Sequence, residues 1–250
     1  MNQSRYILGV RVDATSYARA TDQILDWAAR RLSRLVCCAS VNNIMAARDS
    51  AEFKKVMDSA DLVTSDGMPL VWLLRCMGIR EAQRVYGPDL MPAVLESAAK
   101  SGVPVGLYGG SPEVLRRLVE RLTMRFPKLD IAYAESPPYR PPTQEEDEKT
   151  TQAIARAGVR ILFIGLSTPK QERWMYSHRG RIDAVMLGVG AAFDFLAGAK
   201  PQAPHWMQRN GLEWLFRLAT EPRRLWRRYL GQNPRFAVLA LAQVLRERLS

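Results

Sequence analysis

The sequence lacks several features that would define a protein class at once. No apolar run reaches the ~20 residues that span a bilayer, and residues 1–10 contain neither an apolar signal core nor a small-residue cleavage site. The three cysteines, Cys37, Cys38 and Cys76, have neither a disulfide-framework spacing nor a metal-ligand spacing. These absences predict a cytoplasmic protein whose cysteines are small buried apolar residues.

Signatures of nucleotide and metal binding are also missing. Neither Gly109-Gly110 nor Gly188-Val189-Gly190 completes a G-x-G-x-x-G fingerprint, and no G-x-x-x-x-G-K-[ST] occurs. His178 and His205 lie far apart, so no metal site is predicted. The Asp-x-Asp pair that commonly clamps a metal–nucleotide-sugar complex is absent as well. These gaps argue against a classical dinucleotide or P-loop enzyme, and no cofactor is predicted.

Acidic charge is scarce relative to basic charge, which gives a formal net charge of +11. Residues 201–250 carry nine arginines against three glutamates, so more than half of the excess comes from one fifth of the chain. An uneven positive charge of this kind favours an anionic partner near the C-terminus. Nucleic acid, an acidic lipid surface and a diphosphate all fit that description.

Short apolar or β-branched runs alternate with longer helical patterns along the chain. This alternation is typical of an α/β fold with a Rossmann-like, mostly parallel sheet flanked by helices. We expect residues 1–200 to form that core and residues 201–250 a basic amphipathic helical appendage. Homo-oligomerisation is compatible with the sequence but has no signature in it. The predicted strands are Tyr6–Val10, Leu35–Ala39, Leu62–Thr64, Val103–Tyr108, Ile131–Ala134, Arg160–Ile164 and Ala184–Leu187.

Every polar or glycine-rich cluster follows a predicted strand at the same edge of the sheet. Ligands of open parallel sheets bind beyond the carboxyl ends of the strands, so we expect these clusters to share one site. The groups concerned are Ser40, Asn42, Asn43, Asp66, Gly109, Gly110, Gln171 and Asp194.

Each of these residues also has a structural interpretation. Asp66 is suited to accept a proton from a substrate hydroxyl, and it is equally suited to cap the helix expected from Met68. Ser40, Asn42 and Asn43 offer groups for sugar or phosphate oxygens, or caps for the following helix. The Gly109-Gly110 pair permits a close phosphate approach or merely a tight turn, and Asp194 is either a ligand or a capped structural acid.

The appendage combines aromatic and basic side chains at helical spacing. Residues 211–230 place tryptophans and leucines on one arc and arginines beside it, although Pro222 must kink or split this helix. A second amphipathic segment covers Phe236–Leu249. Such helices suit an anionic membrane surface, and they equally suit packing on the core with a solvated arginine face.

Taken together, these patterns resemble the WecG/TagA/CpsF family of bacterial glycosyltransferases. The similarity extends from Ile7-Leu8-Gly9-Val10 to about Tyr229 and includes Thr64-Ser65-Asp66-Gly67. The most specific stretches are residues 60–72, 84–90, 165–174, 188–198 and 203–224.

The resemblance implies an inverting, metal-independent transfer on the fold some call GT-E. The implied donor is a UDP-sugar carrying N-acetylmannosamine, its uronic acid or glucose. The implied acceptor is an undecaprenyl-diphosphate-linked saccharide at the inner face of the plasma membrane. This sequence does not decide among the donor sugars.

The resemblance also assigns roles to particular residues. Asp66 matches the family's catalytic aspartate, and Ser40 and Asn42 match a donor-site Thr-Pro-Asn-Pro loop that reads Ser-Val-Asn-Asn here. Gln171 and Asp194 match donor contacts, and Arg84, which lies in a matching stretch, is expected to bind substrate. The appendage arginines Arg217, Arg224 and Arg227 are implied to close over the site, where guanidinium groups would stabilise the departing diphosphate.

A nucleic-acid-binding α/β protein is the main alternative from a different class, because the sequence pI is about 9.9. It predicts binding that weakens steeply with salt. No known nucleic-acid motif accompanies the basic residues, which instead lie on an aromatic amphipathic helix, so we expect no nucleic-acid partner.

Overall fold

The computed structural model describes residues 3–249, apart from the side chains of Arg228 and Arg248. One eight-stranded sheet has the order β1-β2-β4-β3-β8-β7-β5-β6, in which only the β1–β2 pair is antiparallel. The predicted mostly parallel α/β fold is therefore confirmed. The strands are β1 Gln3–Ile7, β2 Val10–Ala14, β3 Arg34–Ala39, β4 Leu62–Ser65, β5 Val105–Gly109, β6 Ile131–Glu135, β7 Ile161–Gly165 and β8 Val185–Gly188. The helices are α1 Tyr17–Ala29, α2 Val41–Asp49, α3 Ala51–Asp58, α4 Met68–Cys76, α5 Gly87–Ser101, α6 Pro112–Arg125, α7 Gln144–Arg156, α8 Lys170–Ser177, α9 Ala192–Leu196, α10 His205–Arg209, α11 Glu213–Thr220 and α12 Pro222–Leu249.

The prediction of a single first strand over Tyr6–Val10 is wrong. Leu8 and Gly9 both have positive φ angles, 49° and 87°, and form a two-residue turn between β1 and β2. Such a turn matches the twist of an antiparallel hairpin. The apolar run hid the turn because leucine rarely adopts this backbone conformation.

The parallel strands are buried on both faces and divide the core into two layers. Side chains of β3 alternate, with Leu35 and Cys37 in one apolar cluster and Val36 and Cys38 in the other. The first cluster packs against α2, α3, α4, α8 and α12, and the second against α1, α5, α6 and α9. Cys37 and Cys38 are buried as predicted, whereas Cys76 is exposed, because it ends the surface helix α4.

The sequence signals for two helix starts are confirmed. Ser111 Oγ accepts a hydrogen bond from the Val114 N–H at 3.3 Å ahead of α6. Thr143 and Glu146 form a reciprocal capping box at the start of α7, with N–O distances of 3.2 and 2.8 Å. Each cap satisfies N–H groups that have no partner within the helix.

Residues 205–249 form three helices that pack on the carboxyl edge and one face of the core. Glu221 has non-helical φ and ψ angles, −134° and 55°, and separates α11 from α12, so Pro222 begins a helix rather than kinking one. The predicted second segment, Phe236–Leu249, is the later part of α12 and continues through Pro234.

Helix α12 has two different faces. Leu225, Tyr229, Phe236 and Ala240 are buried and pack toward the core. The opposite face exposes Arg223, Trp226, Arg227 and Leu230 at i, i+3, i+4 and i+7, and continues through Val238, Leu241 and Leu245. The buried face of α12 corresponds to a helix packed on the core, and the exposed face has the composition expected of a helix at an anionic membrane surface. Within residues 3–249, no helix is long and apolar enough to cross a bilayer.

Candidate active site

A large cleft lies at the carboxyl edge of the sheet, between the loops that follow the parallel strands and the helices of the appendage. Its volume is about 1860 Å³, which exceeds the 300–1000 Å³ typical of a site for one small molecule. Ten of the twelve sequence-predicted site residues line it: Ser40, Asn42, Asn43, Asp66, Arg84, Gly110, Gln171, Asp194, Arg217 and Arg224. Gly109 and Arg227 do not.

Asp66 follows β4 directly and is held at both its backbone and its side chain. Its N–H donates to the Ala39 carbonyl at 2.9 Å, and its Oδ2 accepts from the Gly87 N–H, in the first turn of α5, at 3.1 Å. It does not cap α4, because the N-cap residue of that helix is Gly67, which has no side chain.

Burial raises the pKa of Asp66 to about 7. Arg84 opposes this increase, Glu213 adds to it, and the Gly87 hydrogen bond and Arg217 lower the pKa. A carboxylate with a pKa near the working pH is suited to general base catalysis.

Arg84 is engaged by the protein itself. Its Nε donates to the Asp66 carbonyl, Nη1 donates to Gln208 Oε1 at 3.3 Å, and Nη2 pairs with Glu213. Its guanidinium carbon also lies 3.9 Å from the centre of the Tyr86 ring. Arg84 thus joins the loop that carries Asp66 to the appendage, and in this conformation its guanidinium edges are occupied.

Arg217 brings a positive charge from α11 into the cleft. Its Nε is buried and has no hydrogen-bond partner, and its guanidinium carbon lies 6.0 Å from the Phe195 ring centre. The pKa of Arg217 is raised by nearby tyrosine and glutamate side chains, in spite of its burial. A buried N–H donor without a partner is costly, so this group is ready to bind an anionic ligand.

The other two appendage arginines differ in position. Arg224 lines the cleft and pairs with Glu221 at 2.6 Å. Arg227 is exposed outside the cleft, with its guanidinium carbon 5.3 Å from the Trp226 ring centre. The structure therefore does not place Arg227 over the site, because Arg227 lies on the exposed face of α12, opposite the buried Leu225 and Tyr229.

A buried polar cluster connects the loops after β3 and β7. Asn43 Oδ1 accepts from the Ser40 N–H and Oγ, both at 3.0 Å. Its Nδ2 donates to Glu172 Oε1 at 2.8 Å and to Thr168 Oγ1 at 3.2 Å. Asn43 and Glu172 are each only 1% exposed. Asn43 therefore fixes Ser40 at the wall of the cleft, where the neighbouring Asn42 is more accessible.

Gln171 belongs to the same cluster. Its Nε2 donates to Glu172 Oε1 at 3.1 Å, while its Oε1 has no hydrogen-bond partner and lies beneath the Gly188–Gly190 turn. Burial raises the pKa of Glu172. Three donors converge on Glu172 Oε1, and this convergence fixes which way the two amide groups point.

The two glycines after β5 have different tasks. Gly109 has a φ of 129°, and a Cβ at this position would lie 2.7 Å from the backbone of Gly165. It permits close approach of two strands rather than of a ligand. Gly110 lines the cleft, donates its N–H to the Gly165 carbonyl at 3.2 Å and accepts from Ser136 Oγ at 2.7 Å.

Asp194 lies at the rim of the cleft in α9. Lys200 Nζ is 3.5 Å from Asp194 Oδ2 and 3.4 Å from Glu221 Oε2, so it bridges the core to the start of α12. The backbone carbonyl of Asp194 also accepts from the N–H groups of Ala199 and Lys200. Asp194 is thus partly buried and held by a cation of the core.

Sequence reasoning missed Glu213 and undervalued Glu172. Glu213 pairs with Arg84 and accepts from the Tyr86 hydroxyl at 2.7 Å. No local pattern indicates this, because both partners are more than 120 positions away. Glu172 lies in the first turn of α8, where acidic residues are common for dipole reasons, and only the fold shows that it is buried.

The site defines a class of protein before any comparison. A carboxylate with a pKa of about 7 faces guanidinium groups in a cleft that has room for two substrates. This arrangement is typical of a group-transfer enzyme that removes a proton from one substrate and stabilises an anionic leaving group on the other.

The chain belongs to the glycosyl transferase WecG/TagA/CpsF family, whose sequence profile matches residues 5–250. It is 27% identical over 215 residues to the N-acetylglucosaminyldiphosphoundecaprenol N-acetyl-beta-D-mannosaminyltransferase of Bacillus subtilis (strain 168), covering 86% of this chain and 81% of that protein. It is 30% identical over 186 residues to a protein of the same name from Bacillus spizizenii (strain W23), covering 74% and 70%. The resemblance noted in the sequence is confirmed, and the protein is a glycosyltransferase.

Proposed function

We propose that the protein transfers a sugar from a UDP-sugar to undecaprenyl-diphosphate-linked N-acetylglucosamine, with inversion and without a metal ion. The observation that carries this proposal is the position of Asp66, with a pKa of about 7, near Arg217, whose buried Nε has no hydrogen-bond partner. N-Acetylmannosamine is the proposed sugar, because both Bacillus relatives are named as transferases of this sugar to such an acceptor.

The proposed chemistry is a single displacement. Asp66 removes the proton from an acceptor hydroxyl, and the hydroxyl oxygen forms a bond to the anomeric carbon of the donor sugar. The bond from that carbon to the diphosphate oxygen breaks, and UDP leaves with the electron pair. Attack from the face opposite the leaving group inverts the configuration at the anomeric carbon.

The negative charge that develops on the departing diphosphate needs a positive partner. Arg217 presents a buried guanidinium to the cleft, and Arg224 is held at its edge by Glu221. Guanidinium groups bind phosphate oxygens bidentately and stay charged at any working pH. We assign to them the task that a divalent ion performs in other transferases.

We further propose that the exposed face of α12 rests on the anionic inner surface of the plasma membrane. Trp226 and Leu230 are 47% and 60% exposed, with Arg223 and Arg227 beside them on the same face. An amphipathic helix with this composition binds at the lipid headgroup level. Because α12 also lines the cleft, this position would hold the cleft close to the surface from which a polyprenyl-linked acceptor is presented.

Replacement of Asp66 by asparagine tests the proposed base. The variant keeps the shape of the side chain but loses its affinity for a proton, so kcat should fall at least ~100-fold while donor affinity is retained. Transfer from UDP-N-acetylmannosamine to N-acetylglucosaminyl-diphosphoundecaprenol in detergent micelles is the measurement, made in excess EDTA because the proposal requires no divalent ion. Calorimetric titration with UDP reports donor affinity.

Asp89→Asn is the matched control, because Asp89 is a nearby carboxylate in α5 that does not line the cleft. It should transfer the sugar at close to the wild-type rate. Near-normal turnover by the folded Asp66→Asn protein would refute the assignment of the base, and complete loss of wild-type turnover in EDTA would refute metal independence.

A further inference from the structure

Glu213 connects the appendage to both supports of Asp66. Arg84 and Tyr86 line the cleft beside Asp66, and Gly87 follows them at the start of α5. Arg84 Nε holds the backbone carbonyl of Asp66, and the Gly87 N–H holds its carboxylate. Glu213 binds both Arg84 and Tyr86. It pairs with Arg84 through Oε2 and accepts a hydrogen bond from the Tyr86 hydroxyl through Oε1.

The ion pair between Arg84 and Glu213 is largely buried, unlike a surface ion pair. The side chains of Arg84 and Glu213 are only 15% and 14% exposed. Gln208, from α10, adds a further bond to Arg84 Nη1 and is itself anchored by its Nε2 to the Ala203 carbonyl at 2.7 Å. A buried pair with additional hydrogen bonds has a defined geometry, so the position of α11 and the position of Asp66 are fixed together.

We propose that Glu213 is a positioning residue. It holds the loop that carries Asp66 in its working geometry only while α11 is docked on the core. This inference rests on the proposed role of Asp66 as the base. The appendage would then have a second role besides supplying arginines. Docking of α11 on the core would set the position of Asp66 as well as the charge around it.

The charges around Asp66 favour the same conclusion. Glu213 is the anionic neighbour that raises the Asp66 pKa, and Arg84 and Arg217 lower it. Loss of the Glu213 charge would remove one repulsion and free Arg84 to approach Asp66, so both effects lower the Asp66 pKa. The remaining titratable neighbours have raised pKa values and stay neutral near pH 7: Tyr17, Cys38 and Tyr86.

The Glu213→Gln substitution tests the inference, because it keeps the shape of the side chain and removes its charge. The pH profile of kcat/KM for N-acetylmannosamine transfer is the main readout, since its acid limb reports the base in the free enzyme. We expect that limb to move to lower pH by at least ~0.5 unit and kcat to fall about tenfold. A merely structural role would lower activity without moving the limb.

Two further variants separate charge, geometry and folding. Tyr86→Phe removes only the hydroxyl that binds Glu213, so kcat should fall a few-fold while the limb stays in place. Glu81→Gln removes an equivalent charge from an exposed side chain close to Arg84 in sequence, and it should leave the profile unchanged. Thermal unfolding confirms that each variant is folded.

The outcomes are distinct. An unmoved acid limb with unchanged kcat in Glu213→Gln would overturn the inference and leave the proposed function intact. A higher kcat would also overturn it, since Glu213 would then compete with substrate for Arg84. Absence of sugar transfer by the wild-type protein would overturn the proposed function and this inference together.

Discussion

The role proposed for Asp66, that of a base at neutral pH, opposes the stability of the fold. A base at neutral pH needs a raised pKa, and here partial burial in the cleft wall provides it. The unfolded chain has an ordinary aspartate pKa, so the folded state binds the proton more tightly. Stability from this group is fully present below the unfolded pKa of 3.8 and is lost as the pH rises through about 7.

Asp66→Asn should therefore be more stable than the wild type at pH 8. The ionised carboxylate costs at most about 4 kcal/mol there, from a shift of roughly three pKa units. The gain should shrink as the pH falls and vanish near pH 4. Urea unfolding at a series of pH values is the measurement, and equal stabilities at pH 8 would contradict the raised pKa of Asp66.

At the scale of residues, sequence patterns predicted eight candidate site residues that follow strands, and all of them except Gly109 line one cleft. Sequence reasoning could not predict which side chains are held by other residues of the protein. Arg84 was expected to bind substrate, and its guanidinium is instead held by Gln208 and Glu213. Partners so distant in the chain leave no periodic signal.

At the scale of elements, helix caps and buried strands were predictable because their determinants are local. The hairpin turn at Leu8–Gly9 was not, and the sequence left open whether Pro222 kinks or splits the helix of the appendage. A proline can start a helix as readily as interrupt one. Only the non-helical backbone at Glu221 shows which of these Pro222 does.

The exposed face of α12 carries a prediction about membrane binding. The double variant Trp226→Ser/Leu230→Ser removes two exposed apolar side chains beside arginines, and each contributes on the order of 2 kcal/mol when buried. Binding to vesicles that contain phosphatidylglycerol, measured by co-sedimentation, should fall at least about tenfold.

Met124→Ser is the matched control, because Met124 is 73% exposed on α6, away from the appendage. It should bind vesicles as the wild type does. Undiminished vesicle binding by the folded double variant would exclude this face of α12 as the membrane surface. The decrease in vesicle affinity of the wild type at high salt would measure the electrostatic contribution of the arginines.

At the scale of the whole molecule, the cleft is built from two parts of the chain. Strands within residues 3–188 supply Asp66 and the loops, and residues 205–249 supply Glu213 and Arg217. The appendage is docked on the core in this structure, with Phe236 and Ala240 inside the same apolar cluster as α2 and α4.

Deletion of all residues beyond Gln202 should abolish transfer while the sheet remains folded. The deletion removes the charges that Arg217 and Arg224 present to the cleft, so kcat should fall roughly 100-fold or more. A shorter deletion beyond Gly231 keeps α11 but loses the buried contacts of Phe236, and its loss should be intermediate.

Circular dichroism verifies the fold of each truncated protein, and melting temperatures report the lost packing. Full activity of the longer deletion would show that the appendage has no part in catalysis. It would also remove the basis for the leaving-group role of Arg217.

One contact joins the first turn of the chain to its last helix. Gln243 Nε2 donates to the Tyr6 carbonyl at 2.6 Å, and its Oε1 accepts from the Leu8 N–H at 2.9 Å. These residues are 237 and 235 positions apart, so the contact closes a loop of nearly the whole chain, and such closures form late. During synthesis on the ribosome, the hairpin emerges long before its partner helix. Asp66 is therefore synthesised well before Glu213 and Arg217, and a chain released between them lacks both appendage charges that shift the pKa of the proposed base.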